Sequence, residues 1–456
     1  MKTKRIAVVA VAMSLLVAAC GDDDSSSTDG TTGGSSGGGS AESILNGEIK
    51  CEQQYKGKSV SVFSPVRDSD NDKPIADYVA AYQPLVDCTG VEIKWEGTDQ
   101  FETEINVRLE GGNAPDVIDF PQPGLLAAVA RKGFLKEFPA DLADNVASDF
   151  LGGWDTYGTV DGKVYGIPGR SNIKSLVWYS PKAFADKGYE VPTTLEDLKA
   201  LSDKIVADGG TPWCVGAESG VATGWVLTDW MEDFMLRTNG EEVYDQWVNH
   251  EIPFNDPKVA AVADAVGEYV KNADYLGGEG LVKAIATTKF QDGGLPIVAG
   301  DGSCYMHRQA SFYASLWPEG TNVGPDGDVN VFYLPSPSDG PKYMLGAGDI
   351  YAAGSDKPET FDVLKYTGSA DYQLEIVNKR KELSPNKSID FTQISDPFTK
   401  QLSELQAGAD VFRFDGSDMM PGAVGSGTFW TEVTAWVIGG STEDFVNNVE
   451  ASWPKS

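Results

Sequence analysis

The stretch TPWCVGAESGVATGWVLTDWMEDFMLRTNG, residues 211–240, combines three tryptophans with four carboxylates. Its second half predicts a helix over residues 226–237, because apolar side chains recur there at the spacing of one helical face. That core-facing stripe consists of Leu227, Met231, Phe234 and Met235. Trp225, Asp229 and Glu232 then fall on the opposite face. An indole packs on the C–H face of a sugar ring and a carboxylate accepts from its hydroxyls, so this face predicts a carbohydrate site.

The competing interpretation is that these tryptophans only pack, which is the more common role of a single Trp.

The composition of the whole chain limits which kinds of ligand it can bind. The chain has 456 residues, of which 41% are hydrophobic, so it can build a large core, and its length suggests two or three domains. The net charge of -32 argues against nucleic acid, which requires a basic surface, and against an anionic ligand.

The N-terminus predicts export. Residues 1–19 have the form of a signal peptide, with three basic residues before an apolar stretch (6–16) that is too short to span a membrane. The small residues before Cys20 resemble a bacterial lipobox, after which Cys20 becomes the lipidated first residue. An ordinary cleaved secretory signal is the alternative.

A flexible tether is predicted to follow. The lipidated Cys20 and the tether together span residues 20–45, of which 21–40 are Gly, Ser, Thr and Asp with no large apolar residue. About 20 residues of this type reach roughly 25 Å. We therefore expect a lipid-anchored protein on the extracytoplasmic face of the cell membrane, in the periplasm or at the cell surface.

Four cysteines remain after Cys20, and an even number in an exported chain predicts two disulfides. Three pairings are possible, and we predict Cys51–Cys88 and Cys214–Cys304. Metal binding is the alternative, but the chain has no CxxC motif and its two histidines lie far from any Cys pair in sequence. We expect neither a metal nor an organic cofactor.

Predicted strands and helices alternate along the chain, which indicates an α/β fold. Strands are predicted at 59–63, 91–95, 115–120, 175–179 and 329–334, and helices at 75–85, 101–109, 125–132, 194–207 and 259–271. Asp161-Gly162 predicts a hairpin turn. Residues 169–172 are interpreted as a connector, 295–299 as a short strand, and 344–353 as a strand or loop broken by glycines.

Several segments together carry a family resemblance. They include GGNAPDVIDFPQPGLL (111–126), YGIPGRSNIKSLVWY (165–179), the stretch 211–230 and RFDGSDMMPGAVGSGTFW (413–430). In their order and spacing, the chain resembles extracellular solute-binding proteins of carbohydrate ABC importers, the group that includes maltose-binding protein. Within that group it is most similar to the α-glucoside-binding branch.

The resemblance implies a two-lobed α/β fold of the type II periplasmic-binding-protein kind, with a hinge and a ligand cleft between the lobes. The first lobe is expected to comprise 50–170 and 342–380, and the second 172–340 and 381–456. Connectors near 169–172 and 336–340 would be hinges. Each predicted disulfide would then lie within one lobe and leave the hinge free to move.

The resemblance also implies a set of ligand contacts, in which Trp225 and Trp430 are the stacking candidates. The implied residues are Arg67, Asp68, Asp119, Phe120, Gln122, Asn172, Trp225, Asp229, Trp230, Asp301, Gly348, Asp349, Arg413, Asp418 and Trp430. Some have structural alternatives: a core position for Phe120, a backbone role for Gly348, and an ion pair with Asp415 or Asp418 for Arg413.

The implied function is capture without catalysis. A neutral oligosaccharide of the α-glucoside type would close the two lobes, and the closed monomer would deliver it to ABC permease subunits. An exported glycoside hydrolase is the alternative, with Asp229 and Asp418 as its carboxylate pair. No motif of a hydrolytic nucleophile or metalloprotease is present, which favours binding.

Overall fold

The computed structural model describes residues 43–68, 73–299, 303–338 and 340–454. The predicted signal peptide, Cys20 and Asp301 lie outside the described residues. Within the described ranges, helices are either too short or too polar to cross a membrane.

The strands lie mostly in the first half of the described chain. They are β1 (Ser43–Ile44), β2 (Ile49–Lys50), β3 (Ser59–Ser64), β4 (Glu92–Gly97), β5 (Val117–Phe120), β6 (Thr159–Val160), β7 (Lys163–Val164), β8 (Gly166–Ile173), β9 (Leu176–Tyr179), β10 (Met306–Arg308), β11 (Asn330–Tyr333), β12 (Tyr343–Ala353) and β13 (Val411–Phe414).

Helices fill the connections and most of the second half. They are α1 (Pro74–Ala81), α2 (Gln83–Thr89), α3 (Phe101–Glu110), α4 (Pro123–Arg131), α5 (Ala140–Asp149), α6 (Pro181–Lys187), α7 (Leu195–Ala207), α8 (Trp225–Val248), α9 (Pro257–Val270), α10 (Ala273–Leu276), α11 (Glu279–Ala284), α12 (Pro296–Ala299), α13 (Pro358–Thr367), α14 (Ala370–Arg380), α15 (Pro397–Ala407), α16 (Gly416–Met419), α17 (Trp430–Val437) and α18 (Thr442–Ala451). Many begin at a proline, whose fixed φ and missing N–H suit the first turn.

Among the described residues, six strands form the main sheet, in the order β13-β12-β5-β3-β4 with β8 also paired to β12. β3 runs parallel to β4 and β5, so the carboxyl ends of these strands meet at one edge of the sheet. β12 runs antiparallel to β5 and places Tyr351 opposite Asp119. β10, β9 and β11 form a separate antiparallel sheet.

The buried hydrophobic side chains form two large clusters. One surrounds the main sheet, with Phe63, Ile118 and Ile350 at its centre. The other surrounds α8, with Leu227 and Met231 fully buried among side chains of α9, α17 and α18. Three passages, at residues 173–177, 334–345 and 414–420, lead from the main sheet to the cluster around α8.

Most predicted elements are confirmed in type. The hairpin forms at Asp161 and Gly162, whose φ values of 52° and 79° suit a two-residue turn of this kind. The segment predicted as one helix over 75–85 forms α1 and α2 instead, with a break between them at Tyr82.

Three predictions about elements are wrong. Residues 169–172 do not form a connector but lie inside β8, and 295–299 contain the short helix α12 rather than a strand. Residues 343–353 form the unbroken strand β12. Its glycines serve close packing, since a Cβ on Gly348 would lie 2.1 Å from the carbonyl oxygen of Arg170.

Both disulfides pair as predicted, Cys51 with Cys88 and Cys214 with Cys304, with Cα atoms 4.3 Å and 5.8 Å apart. They close segments separated by 37 and 90 residues. Loops of this length restrict the unfolded chain by roughly 4 to 5 kcal/mol each in the chain-entropy description.

Peptide mapping of the exported protein without reduction is expected to yield only these two linked pairs. Reduction should lower the thermal midpoint, because the unfolded chain regains the entropy of both loops. A peptide that joins Cys51 to Cys214 would contradict the arrangement.

Candidate functional site

The helix α8 begins at Trp225, directly after Gly224, whose φ of 121° is accessible only to glycine without strain. The predicted apolar stripe is present, but the opposite face does not meet solvent: all residues from 226 to 237 are buried. The sequence predicted a sugar-binding surface on this opposite face. Three chain segments cover it instead, and they lie on its polar residues Asp229, Glu232, Asp233 and Arg237. We call these four residues the polar face of α8. These residues follow the i, i+3, i+4, i+8 spacing of one helical face.

The first covering segment follows β8. Lys174 donates from Nζ to Asp229 Oδ1 at 2.9 Å and also pairs with Asp415. Ser175 donates to Asp233 Oδ1 at 2.6 Å, and its hydroxyl accepts from the amide of Leu345 at 2.8 Å. This segment is therefore bonded both to α8 and to β12.

The second covering segment connects β11 to β12. Arg237 is fully buried and donates to the carbonyl oxygens of Leu334 at 2.8 Å, Pro335 at 3.1 Å and Tyr343 at 3.1 Å. Its Nη1 also donates to Asp233 Oδ1 at 2.5 Å. One guanidinium thus fixes both ends of this connection.

The third covering segment follows β13. Glu232 accepts from the backbone amides of Gly416 at 2.9 Å and Ser417 at 3.1 Å, at the start of α16. Asp415 accepts from the Ser417 hydroxyl at 2.7 Å and pairs with Lys174. The polar face of α8 consequently contacts all three passages that lead from the main sheet to the cluster around α8.

Arg308 of β10 completes this network. It donates from Nη1 to Asp229 Oδ2 at 3.1 Å and from Nε to Asp233 Oδ2 at 3.1 Å, and all three side chains have no exposed surface. Buried charges are stable only when they are paired and fully hydrogen-bonded, which this arrangement achieves.

Burial changes the acidity of the carboxyl groups in this network. It raises the pKa of Asp229 to about 6, although Lys174 and Arg308 oppose the change. Burial and the nearby charge of Asp415 raise the pKa of Glu232 well above its usual value, whereas the Lys174 ammonium overcomes burial and holds the pKa of Asp415 below its usual value. The acid oxygens of Asp229, Glu232 and Asp415 lie within 4.8 Å of one another, and Lys174 supplies the cation that this cluster requires.

Trp225 and Trp430 lie at the beginnings of α8 and α17. A Cβ on Gly224 would lie 2.3 Å from the carbonyl oxygen of Trp430, so the two helix starts are in direct contact. Both tryptophans are half-buried. The Trp225 ring packs against Phe290 and Phe312, with centroids 5.1 Å and 5.9 Å away.

Gln122 and Asp418 belong to adjoining segments near these tryptophans. The start of α4 packs on α16, since a Cβ on Gly124 would lie 2.8 Å from the carbonyl oxygen of Met419. Gln122 donates to Glu102 at 3.0 Å. The structure thus brings together Gln122, Trp225, Asp229, Asp418 and Trp430 from the predicted set.

A second group of predicted residues surrounds Arg170 of β8. Arg170 pairs with Asp349 and, at 3.4 Å, with Glu382. It borders a cavity of about 400 Å³ lined by Pro65, Val66, Arg67, Pro74, Arg170, Arg380 and Glu382. Asn172 lies on the same face of β8, two residues on, and its Oδ1 is 3.5 Å from the Ser311 hydroxyl.

Asp119 and Asp68 have local structural partners. Asp119 is fully buried beneath this group and accepts from the Ser64 hydroxyl at 2.6 Å. Burial and the neighbouring Asp349 raise the pKa of Asp119 well above its usual value. Asp68 accepts from the amide of Ile75 at 3.2 Å in the first turn of α1.

Several predicted contacts are buried or already paired in this structure, and Asp119 and Asp229 are among them because neither has exposed surface. Phe120 and Trp230 have no exposed surface and pack in the core, against Phe101 and Trp213 respectively. Arg413 makes a two-bond ion pair with Asp245, at 2.7 Å and 2.8 Å, which was not among the partners considered. Gly348 is enclosed in β12.

Sequence reasoning missed Lys174, Ser175, Arg308 and Asp415. Their partners are remote in the chain, and no local spacing connects Lys174 or Arg308 to α8. One signal was available: Arg170, Asn172 and Lys174 alternate as the residues of one strand face do.

Residues 72–374 match the family described as bacterial extracellular solute-binding protein. The chain is 41% identical to the osmoprotective compounds-binding protein GgtB of Synechocystis sp., over 82% of this chain and 88% of that protein. It is 37% identical to the alpha-glucosides-binding periplasmic protein AglE of Rhizobium meliloti, over 89% of each.

Solved structures share the two-lobed α/β fold at low sequence identity. The bacterial solute receptor AcbH, described with an exclusive preference for b-D-galactopyranose, superposes with a TM-score of 0.72 at 19% identity, covering 86% of this chain and 97% of that chain. The maltose-bound protein MalE3 of T. maritima superposes with a TM-score of 0.61 at 18% identity, covering 86% and 98%.

Replacement of Arg308 by Met is expected to destabilise the protein by about 3 to 5 kcal/mol, because it leaves Asp233 and Asp229 buried without this partner. Arg131→Met is the matched control, since Arg131 pairs with Asp161 at 3.1 Å where both side chains are more than half exposed. That control should cost less than about 1 kcal/mol. Unfolding in urea measures both, and equal losses would contradict the role given to Arg308.

Proposed function

Since the chain belongs to the bacterial extracellular solute-binding proteins, we propose that it is the substrate-binding component of an ABC sugar importer and captures a neutral α-glucoside. One observation carries this proposal: two half-buried tryptophans, Trp225 and Trp430, lie at the starts of α8 and α17, which are in contact, and α16, which packs on α8, carries the partly exposed carboxyl group of Asp418. Aromatic faces with carboxyl groups nearby suit a sugar, which presents C–H faces and hydroxyls together.

Capture proceeds by closure of two lobes. In this proposal the first lobe comprises 50–170 and 342–380 together with β13, which pairs with β12 in the main sheet, and the second comprises 172–340 and the rest of 381–456. The passages covering the polar face of α8 are the hinge. A sugar that contacts both lobes favours the closed state by its difference in affinity for the two states. Asn172 and the cavity beside Arg170 extend the ligand site from Trp225 along β8 toward the first lobe.

The ligand class rests on the relatives and on charge. One relative is named for alpha-glucosides and another for osmoprotective compounds. Trehalose and sucrose satisfy both descriptions, since they are neutral disaccharides that contain an α-glucosyl unit and also protect cells from osmotic stress. A chain of net charge -32 suits such a neutral ligand better than an anion.

The contacts of Asp229 argue against hydrolysis as the function. A glycosidase would need two carboxyl groups free to reach the glycosidic bond. Both oxygens of Asp229 are instead engaged, by Lys174 and Arg308, and the side chain is fully buried. We propose that the protein makes and breaks no bond in its ligand.

The place of action follows from the N-terminus. We propose that Cys20 carries the lipid anchor and that the residues from 21 to the start of β1 tether the binding domain outside the membrane, within reach of the permease.

A calorimetric and thermal-shift screen over trehalose, sucrose, maltose, maltotriose, glucose and galactose tests the function. At least one α-glucoside is expected to bind at micromolar concentration or below and to raise the thermal midpoint, because binding to the folded state stabilises it. Glucose released from the disaccharides on prolonged incubation would contradict capture without hydrolysis. A screen without any binding sugar would contradict the ligand class.

Trp225→Ala is expected to weaken binding of the sugar at least about tenfold while the protein stays folded, since a stacking surface is lost. Trp453→Ala is the matched control, because Trp453 is also partly exposed but stacks on His250, 4.0 Å between ring centroids, near the C-terminus. Calorimetry measures both variants. Unchanged affinity in the Trp225 variant would remove this residue from the site.

A further inference from the structure

Lys174 is more exposed to solvent than the two arginines of the ion-pair network on α8. Arg237 and Arg308 have no exposed side-chain surface, whereas the Lys174 side chain is 10% exposed. The Lys174 ammonium also lies 5.7 Å from the centre of the Trp225 ring, close enough for a cation–π interaction.

The same ammonium connects three parts of the molecule. Lys174 itself lies directly after β8, in the first passage between the two hydrophobic clusters. It pairs with Asp229, one helical turn after Trp225, and with Asp415, in the third passage. A displacement of either passage therefore moves the group that lies against the Trp225 ring.

We propose that Lys174 is a positioning residue that couples the orientation of the Trp225 ring to the hinge. This inference rests on the proposed function, because Trp225 is the stacking surface of that proposal. Lys174 does not need to touch the sugar. It fixes Asp229 and Asp415 relative to each other and holds the ring of Trp225 in the orientation that stacking requires.

Charge explains why a lysine is required at this position. Without the ammonium, the acid oxygens of Asp229, Glu232 and Asp415 would lie within 4.8 Å of one another with no cation between Asp229 and Asp415. Like charges at this distance repel each other, and the first turns of α8 would shift relative to Asp415. Trp225 lies in that first turn, so its ring would lose its orientation.

A double-mutant cycle tests the coupling. Affinities for trehalose, sucrose and maltose are measured by calorimetry for the wild type, Lys174→Met, Trp225→Ala and the double variant. Lys174→Met is expected to weaken binding about tenfold, and Trp225→Ala to cost much less in the Lys174→Met background than in the wild type. Costs that add in the double variant would overturn the proposal, since a purely structural effect of Lys174 predicts additivity.

A matched control comes from a second lysine–tryptophan pair. Lys271 lies 4.7 Å from the Trp436 ring centre and donates to the carbonyl of Gly440, so it contacts none of the proposed ligand residues. Lys271→Met should leave sugar affinity within about twofold and leave the cost of Trp225→Ala unchanged. A loss of affinity in this control equal to that of Lys174→Met would also overturn the proposal.

A second variant and the wild-type affinity distinguish the remaining outcomes. If Lys174→Met does not fold, Lys174→Met/Asp415→Asn removes a cation and a carboxylate together, and the same cycle with Trp225→Ala is measured in that background. The failure of the function itself is distinguished by the wild type: a wild-type protein that binds none of the sugars contradicts the ligand class, whereas binding with additive costs contradicts only the role of Lys174.

Discussion

The ion-pair network on the polar face of α8 is the interaction on which the rest of the structure depends. Asp229, Glu232, Asp233 and Arg237 are each satisfied by a group from another segment, and these segments are the three passages that lead from the main sheet to α8. Removal of one partner from such a buried network leaves a charge that is costly to bury. One helical face therefore fixes the geometry of the whole connection between the two halves of the molecule.

A polar connection suits a protein whose halves move. Hydrophobic packing is non-directional, whereas hydrogen bonds to Leu334, Tyr343, Gly416 and Ser417 specify which backbone atoms meet α8. The same helix presents Trp225 in its first turn, so the proposed ligand site and the proposed hinge share one element. Precise placement of a stacking ring is easier on a helix than on a loop.

The alternation of strands and helices predicted the α/β class, and the four cysteines of an exported chain predicted two disulfides. The family motifs predicted that the segments of Trp225 and Trp430 belong to one site. Each of these signals can be read within a short stretch of sequence or from a pair of stretches. The sequence did not reveal that the acids of α8 are buried. Helical spacing shows which residues share a face but not what covers it, and Lys174 and Arg308 come from distant segments. For the same reason Phe120 and Trp230 were assigned to the ligand, and the glycines of β12 were interpreted as a break although they serve close packing with β8.

A crystal structure of the protein with the disaccharide that binds most tightly tests the central claim most directly. The account predicts one sugar ring stacked on Trp225, within about 4.5 Å of the indole, with Trp430 on the same ligand and the contacts of Lys174 with Asp229 and Asp415 intact. A sugar bound elsewhere, with both tryptophans outside contact distance, would contradict it.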